Sequence, residues 1–331
     1  MKLNKICKLL LLSAILLPCT LIHAQEAALL QRAENGDPVA QTELGFLYAT
    51  GEDLTQDFTE SLRWFLLAAN QGNADAQYNY GNMLANGFGV AQNLEEAMHW
   101  YRLAADQQHA RAQYNLGFMY DNAQGVALDY PEAAKWYRAA AEQGHAAAQN
   151  SLGVAYKYGL GVRQDYAEAL RWLALSAAQA YSSAEFNLGA MYSNGAGVEQ
   201  NFAEAAQWYG QAAAHGNAGA QFSLAELHSE GLSGEKNYEE AVRWYQEAAK
   251  QGHAEAQYRL GEMYEVGFGV AQNHEMAFMW THIAVTMATD TMRGRIVRNR
   301  DTIARKLTAD QLQHAQDMAR LCLESDYATC Q

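Results

Sequence analysis

Only three prolines, Pro18, Pro38 and Pro131, fall in this 331-residue chain. Proline breaks helix interiors, so their scarcity leaves long stretches free to be helical. Four cysteines are too few for a disulfide-dense scaffold. Cationic side chains are sparse: 23 Lys and Arg against 37 Asp and Glu give a formal charge of −14. Such a chain repels phosphate backbones, and nucleic acid is excluded as an expected partner. Long apolar runs are also missing. The main one, Leu9 to Leu17, is shorter than the roughly 20 residues a spanning helix needs. What is present is 50% apolar and 18% charged, ample for a buried core and far from the disordered range.

The Leu9 to Leu17 run follows Lys2, Lys5 and Lys8 and precedes Pro18 and Ala24. A charged start, a short apolar stretch and a small residue describe a secretory signal. Residues 1–24 are therefore expected to be removed near Ala24, leaving a periplasmic or secreted protein with no membrane span. An uncleaved anchor and a lipoprotein at Cys19 stay open, although Pro18 fits poorly before a lipidated cysteine. Removal takes away three lysines and no acid, moving the formal charge from −14 to −17. It leaves Cys322 and Cys330, which in an oxidising compartment read as one disulfide closing a short loop.

The remaining chain repeats itself every 36 residues. Trp64, Trp100, Trp136, Trp172, Trp208, Trp244 and Trp280 keep that step without an insertion, as do Ala40 to Ala256 and, with Tyr80 for one leucine, Leu44 to Leu260. Of the 26 glycines, 22 fall in four phases of the period, so they are structural and not linker residues. Each unit reads as two helices. In the second unit, apolar spacing predicts helix A over about 74–85 and helix B over about 94–106. Gly87 and Gly89 end helix A. Asp57, Asn93, Asp129, Asp165, Asn201 and Asn237 each precede an acid by three residues, the pattern of a capping box at the start of helix B. The tryptophans read as core, and Gly45, Gly81, Gly117, Gly153, Gly189 and Gly261 as positions where helix B comes close.

These motifs resemble the Sel-one-like repeat (SLR) family, relatives of the tetratricopeptide repeats. A-x-A-Q-x-x-L-G-x-x-Y occurs at Ala110, Ala112, Gln113, Leu116, Gly117 and Tyr120, and G-x-G-V at Gly159, Gly161 and Val162. E-A-x-x-W-Y-x-x-A-A-x-Q-G runs from Glu132 to Gly144. The resemblance implies an all-α, right-handed α/α superhelical solenoid of seven 36-residue helix-turn-helix repeats over 38–289. A capping helix over 25–37 and capping helices and a tail over 290–331 would close its ends. It also implies an adaptor or scaffold, often in bacterial envelopes. The sixth unit departs most, with Ala225, His228, Ser233 and Gly234 at repeated positions.

No catalytic, metal or cofactor constellation emerges. Ser233-Gly234-Glu235-Lys236 matches S-x-x-K but lacks the partner motifs of penicillin-recognising enzymes. Some cysteine-rich SLR relatives have been linked to penicillin binding, but their cysteine pairs are missing from these repeats. His274-Glu275 begins a zinc-protease motif that Phe278 ends. His109, His145 and His253 share a phase with Asp37, Asn73 and Asn217 and read as helix-start residues. The Gly-x-Gly pairs lack a dinucleotide loop's third glycine.

Binding is expected on helix A. Positions 75, 79, 82 and 86 lie within about 60° of one another, away from the repeated core positions. That stripe, continued through later units, holds Asn79, Asn82, Asn86, Asn115, Phe118, Asn122, Asn187 and Asn194, then Glu226, Glu230, Glu255, Arg259 and Glu262. Amides donate and accept, matching a peptide backbone, and the acids suit a basic segment. The expected function is a monomeric, non-catalytic scaffold that binds a protein or peptide. An envelope hydrolase acting on β-lactam or cell-wall substrates is the other class left open. The basic run Arg293 to Lys306 reads as a solvated cap or a dock for an acidic partner.

Overall fold

The computed structural model describes residues 27–52 and 54–330; the expected signal segment lies outside them. The described residues contain helices, turns and coil and no strand. They divide into two compact units, one ending at Asp165 and the other starting at Tyr166.

Unit one begins with α1 over residues 27–34. Three helical hairpins follow: α2 (Pro38–Thr50) with α3 (Phe58–Asn70), α4 (Ala74–Asn86) with α5 (Leu94–Asp106), and α6 (Ala110–Asp121) with α7 (Tyr130–Glu142). It ends with α8 (Ala146–Tyr158). Unit two opens with α9 (Tyr166–Ala177). Its hairpins pair α10 (Ser182–Asn194) with α11 (Phe202–Ala214), α12 (Ala218–Glu230) with α13 (Tyr238–Lys250), and α14 (Ala254–Val266) with α15 (His274–Met287). The terminal helices α16 (Asp290–Ala304) and α17 (Ala309–Glu324) follow. The expected helix B of the second unit coincides with α5.

Each B-type helix starts at the capping residue that its sequence announces. Asp57 accepts from the amides of Thr59 and Glu60, and Asn93, Asp129, Asn201 and Asn237 each accept from the amide three residues on. The reciprocal half of the expected box is replaced. The cap's own backbone N–H donates to a carbonyl of the preceding A helix, Asp57 to Tyr48, Asn93 to Leu84 and Asp129 to Tyr120. The acids turn elsewhere: Glu60 pairs with Arg63 and Glu132 with Lys135. A complete box forms at Thr308 and Gln311 of α17.

In four hairpins the helix-A glycine, Gly45, Gly81, Gly117 or Gly189, receives a ring from helix B, whereas Gly261 meets Thr281. The ring belongs to the residue after the tryptophan. A β-carbon on Gly45 would stand 2.7 Å from Phe65, on Gly117 2.6 Å from Tyr137 and on Gly189 2.6 Å from Tyr209. Those rings are the consistently buried ones: Phe65 is 2% exposed, Tyr101 3%, Tyr137 3% and Tyr245 0%. The indoles vary more. Trp64, Trp136, Trp172 and Trp280 are buried, whereas Trp100, Trp208 and Trp244 are half-buried. The tryptophan stripe is therefore core in part, and the neighbouring ring is the steadier anchor. Truncating such a ring in a packed core costs about 3–5 kcal/mol.

Two turns depart from the rest. In the sixth repeat α12 still ends at a left-handed Gly231. The second turn glycine elsewhere lies against the start of an earlier B helix, where a β-carbon on Gly89 would be 2.8 Å from Phe58 and on Gly269 2.2 Å from the Tyr238 carbonyl. Ser233 stands at that position, and the turn passes through Gly234 with φ 159°. The third repeat differs unexpectedly: Ala123 takes φ 53° where other repeats place glycine, and α6 stops one residue early.

Cys322 and Cys330 form a disulfide with a Cα separation of 4.8 Å. Both sulfurs lie in a core cluster with Val242, Tyr245 and Trp280.

Candidate functional site

The A-helix stripe of unit one lines a groove of about 360 Å³. Asn82, Asn86, Asn115 and Phe118 all border it, with Leu94 and Met119 as apolar walls and Gln92 and Gln124 at the turns. On its floor Asn82 Oδ1 accepts from the Tyr101 hydroxyl at 2.7 Å and from Asn115 Nδ2 at 3.2 Å. The Tyr101 phenol is pushed well above its ordinary range by burial, so it stays a neutral donor. These contacts tie the two amides together on the floor, with Asn115 also bonded to Tyr101, and leave capacity for further hydrogen bonds at Asn82 Nδ2 and Asn115 Oδ1.

A second hollow of about 120 Å³ recurs one repeat further on, between α6, α7 and α8. Its floor holds Asp121, Asn150 and Ser151, and its walls Val154, Ala155 and Leu160. The Tyr137 hydroxyl donates to Asp121 Oδ2 at 3.1 Å, and burial together with that carboxylate raises its pKa.

The other expected residues do not join one site. Asn86, at the groove edge, and Asn122, outside it, turn back to their own helices, donating to the carbonyls of Asn82 and Phe118. Asn79 lies half-buried on α4, and Asn194 is the exposed last residue of α10. Asn187 lies on α10 of unit two. Glu230 is exposed at the end of α12.

Glu226 is committed internally. It accepts from the Tyr245 hydroxyl and from Arg259 Nη2, the latter at 3.2 Å, and Arg259 also holds Glu262 at 3.2 Å. Arg259 thus offsets one charge of the acidic stripe expected to attract a basic segment, and ties up Glu226 and Glu262. The Tyr258 phenol is pushed up to about 12 by burial and by Glu262. In the terminal basic run, Lys306 pairs with Glu265 at 2.8 Å and Asn299 bonds the same carboxylate at 3.1 Å. Arg295 lies over the Tyr258 ring. Part of that run therefore closes the end of the repeat.

A buried amide ladder escaped the sequence reading. Gln41, Gln77, Gln113 and Gln221 each donate to a carbonyl eight residues back. Each also accepts from a glutamine 30 residues on, as from Gln71 to Gln41 at 2.7 Å. In the fifth repeat Glu185, 2% exposed, replaces the first glutamine and His215 the second. The 36-residue period carried this signal, because both exchanges occur in the same repeat.

His109, His145 and His253 are N-caps: each Nδ1 accepts from the amide three residues on. Their rings stack on Tyr78, Tyr114 and Phe222. Burial lowers the pKa of all three. In the sixth-repeat turn, Lys236 lies over the Tyr238 ring. No group of three or more His, Cys, Asp or Glu among the described residues is arranged for a metal ion. No described helix is long and apolar enough to cross a membrane.

Stacked hairpins with no strand among the described residues define an all-α helical-repeat solenoid. The model of the Sel1 repeat matches residues 38–73, 74–109, 110–145, 146–181, 182–217, 218–253 and 254–287. The chain belongs to the Sel1-repeat family, whose fold typically serves as a scaffold for protein–protein interaction. It is similar to the crystal structure of a Sel1 repeat protein from Oxalobacter formigenes, with 33% identity, 84% of this chain and 80% of that one covered, and a TM-score of 0.69. A protective antigen of uropathogenic Escherichia coli strains with an SLR fold shares 29% identity over 91% of this chain and 80% of its own, with a TM-score of 0.43. No curated protein matches the chain.

Proposed function

We propose that the protein is a non-catalytic adaptor of the bacterial envelope, periplasmic or secreted, that holds a peptide segment of a partner in the unit-one groove. The observation that carries this reading is the Asn82–Asn115 pair. The pair keeps hydrogen-bonding capacity at Asn82 Nδ2 and Asn115 Oδ1, which suits the C=O and N–H of a peptide unit. Tyr101 holds the pair in place, so little ordering remains to oppose binding. The Cys322–Cys330 disulfide supports an oxidising compartment. Export itself rests on the charged and apolar pattern of residues 1–24. Residues 25–37 and 290–331 act in this reading as caps that hide the ends of the stack.

Affinity capture from the envelope fraction, followed by mass spectrometry, tests it with wild-type protein and Asn115→Ala. Partners lost with a variant of unchanged circular dichroism and melting temperature support the groove. Partners retained in full overturn it.

A further inference from the structure

No described residue lining the Asn82–Asn115 groove carries a charge, although the chain as a whole has a formal charge of −14. That neutrality is not a property of the repeat. Ala85 stands where later repeats place Asp121, Lys157 and Glu265, and Asn82 and Asn115 stand where unit two has Glu226 and Arg259. The groove is therefore neutral through its own choice of residues, in a molecule whose acidity would otherwise favour a basic partner.

The lining limits what side chain can enter. Ala85, Leu94 and Met119 are apolar, and Phe118 on the rim is 40% exposed. A charged side chain placed among them would lose its hydration with no opposite charge to meet it. A small polar one would leave the apolar walls in water, where covering them is favourable. The groove, at about 360 Å³ against about 120 Å³ for the hollow one repeat on, has room for a large side chain. Only the floor is polar, and its Asn82 and Asn115 amides suit a backbone.

We propose, building on the groove reading above, that the partner segment held there is uncharged and seats a large apolar side chain between Leu94, Met119 and Phe118, with its backbone on Asn82 and Asn115. Apolar burial then selects the partner at this groove, and the acidic charge of the molecule does not.

Fluorescence anisotropy on the full mature chain at physiological salt tests this with labelled glycine-serine peptides that differ at one central residue: phenylalanine, alanine or lysine. The expected result is binding about tenfold tighter for the phenylalanine peptide than for either of the others. Phe118→Ala should narrow that preference, and because Phe118 is exposed its truncation leaves the core intact. Ala85→Asp installs the carboxylate that the next repeat carries at Asp121, so the fold has a precedent for it. It should weaken the phenylalanine peptide and shift the preference about tenfold toward lysine. Equal affinity for the three peptides, tightest binding of the lysine peptide to wild type, no binding of any, or a preference unchanged in both variants overturns the proposal. If partner capture is lost in Asn115→Ala while the central residue has no effect, the apolar seat fails and the groove reading stands. If capture survives in Asn115→Ala and no peptide binds, both fail.

Discussion

His215 Nδ1 donates to Glu185 Oε2 at 2.8 Å, at the point in the buried ladder where neighbouring repeats join two glutamines. The Glu185 side chain is 2% exposed and the His215 side chain 45%. A carboxylate so buried depends on its partner. His215→Ala is expected to destabilise unit two by about 2–3 kcal/mol, more than Gln143→Ala destabilises unit one. The double variant Glu185→Gln with His215→Gln restores the common ladder and should return stability to within about 1 kcal/mol of wild type. Urea denaturation read by tryptophan fluorescence checks both outcomes.

Gln108 and Ala180 hold positive φ, 63° and 57°, at the turn position where Gly72, Gly144, Gly216 and Gly252 stand in other repeats. A β-carbon at Gly72, Gly144 or Gly216 would meet nothing within 4 Å, so strain, not space, is the issue there. Gln108→Gly and Ala180→Gly should each stabilise by about 1 kcal/mol, and Gly72→Ala should cost a similar amount. Thermal melts of the three variants decide it.

Tyr137, 3% exposed against Gly117, should matter more than a half-buried tryptophan. Tyr137→Ala is expected to cost about 3–5 kcal/mol and Trp100→Ala less. Gly117→Ala should cost about 1–3 kcal/mol by overpacking the ring. Ala225 opposite Tyr245 shows that one repeat has settled around the extra methyl. Equal losses for Tyr137→Ala and Trp100→Ala would refute the ranking.

The caps His109, His145 and His253 have pKa values lowered by burial, so the folded state favours their neutral forms. Protonation also removes the Nδ1 lone pair that accepts the capping amide. Their contribution is fully present above the unfolded value of about 6.5 and is lost as pH falls through the folded values. Melting temperature should drop between pH 7.5 and pH 5. His145→Asn, which installs the cap used naturally at Asn73 and Asn217, should flatten part of that drop. An unchanged pH slope would count against the caps as its source.

Reducing the Cys322–Cys330 bond releases a loop of eight-residue separation. By loop-closure entropy this should cost about 2–3 kcal/mol. Cys322→Ser compared with wild type in reductant measures it, and the loss should be confined to unit two.

Most of the fold was legible because stacking imposes a strict register. The helices, their caps and the glycine phases all repeat, and repetition in one chain takes the place of many related sequences. What escaped lay in pairings between residues about 30 apart. Gln41 with Gln71 looks like two ordinary polar positions until the stack brings them together. The asparagine stripe was visible as a face, yet not which members spend themselves on neighbours. Asn82 and Glu226 share a phase and both accept from a helix-B tyrosine, but Arg259 closes the second site while Asn115 leaves the first partly open.

The double use of each helix-B cap has a consequence for how such a protein can change length. Its side chain starts one helix while its backbone amide reaches back nine residues, as from Asp57 to Tyr48 and from Asn93 to Leu84. One extra residue in the turn would pull the amide off its carbonyl and swing the next helix out of line. Growth or shrinkage is thereby restricted to whole hairpins, spliced in or out as blocks. The reach of the binding channel would then be set by how many blocks the gene carries.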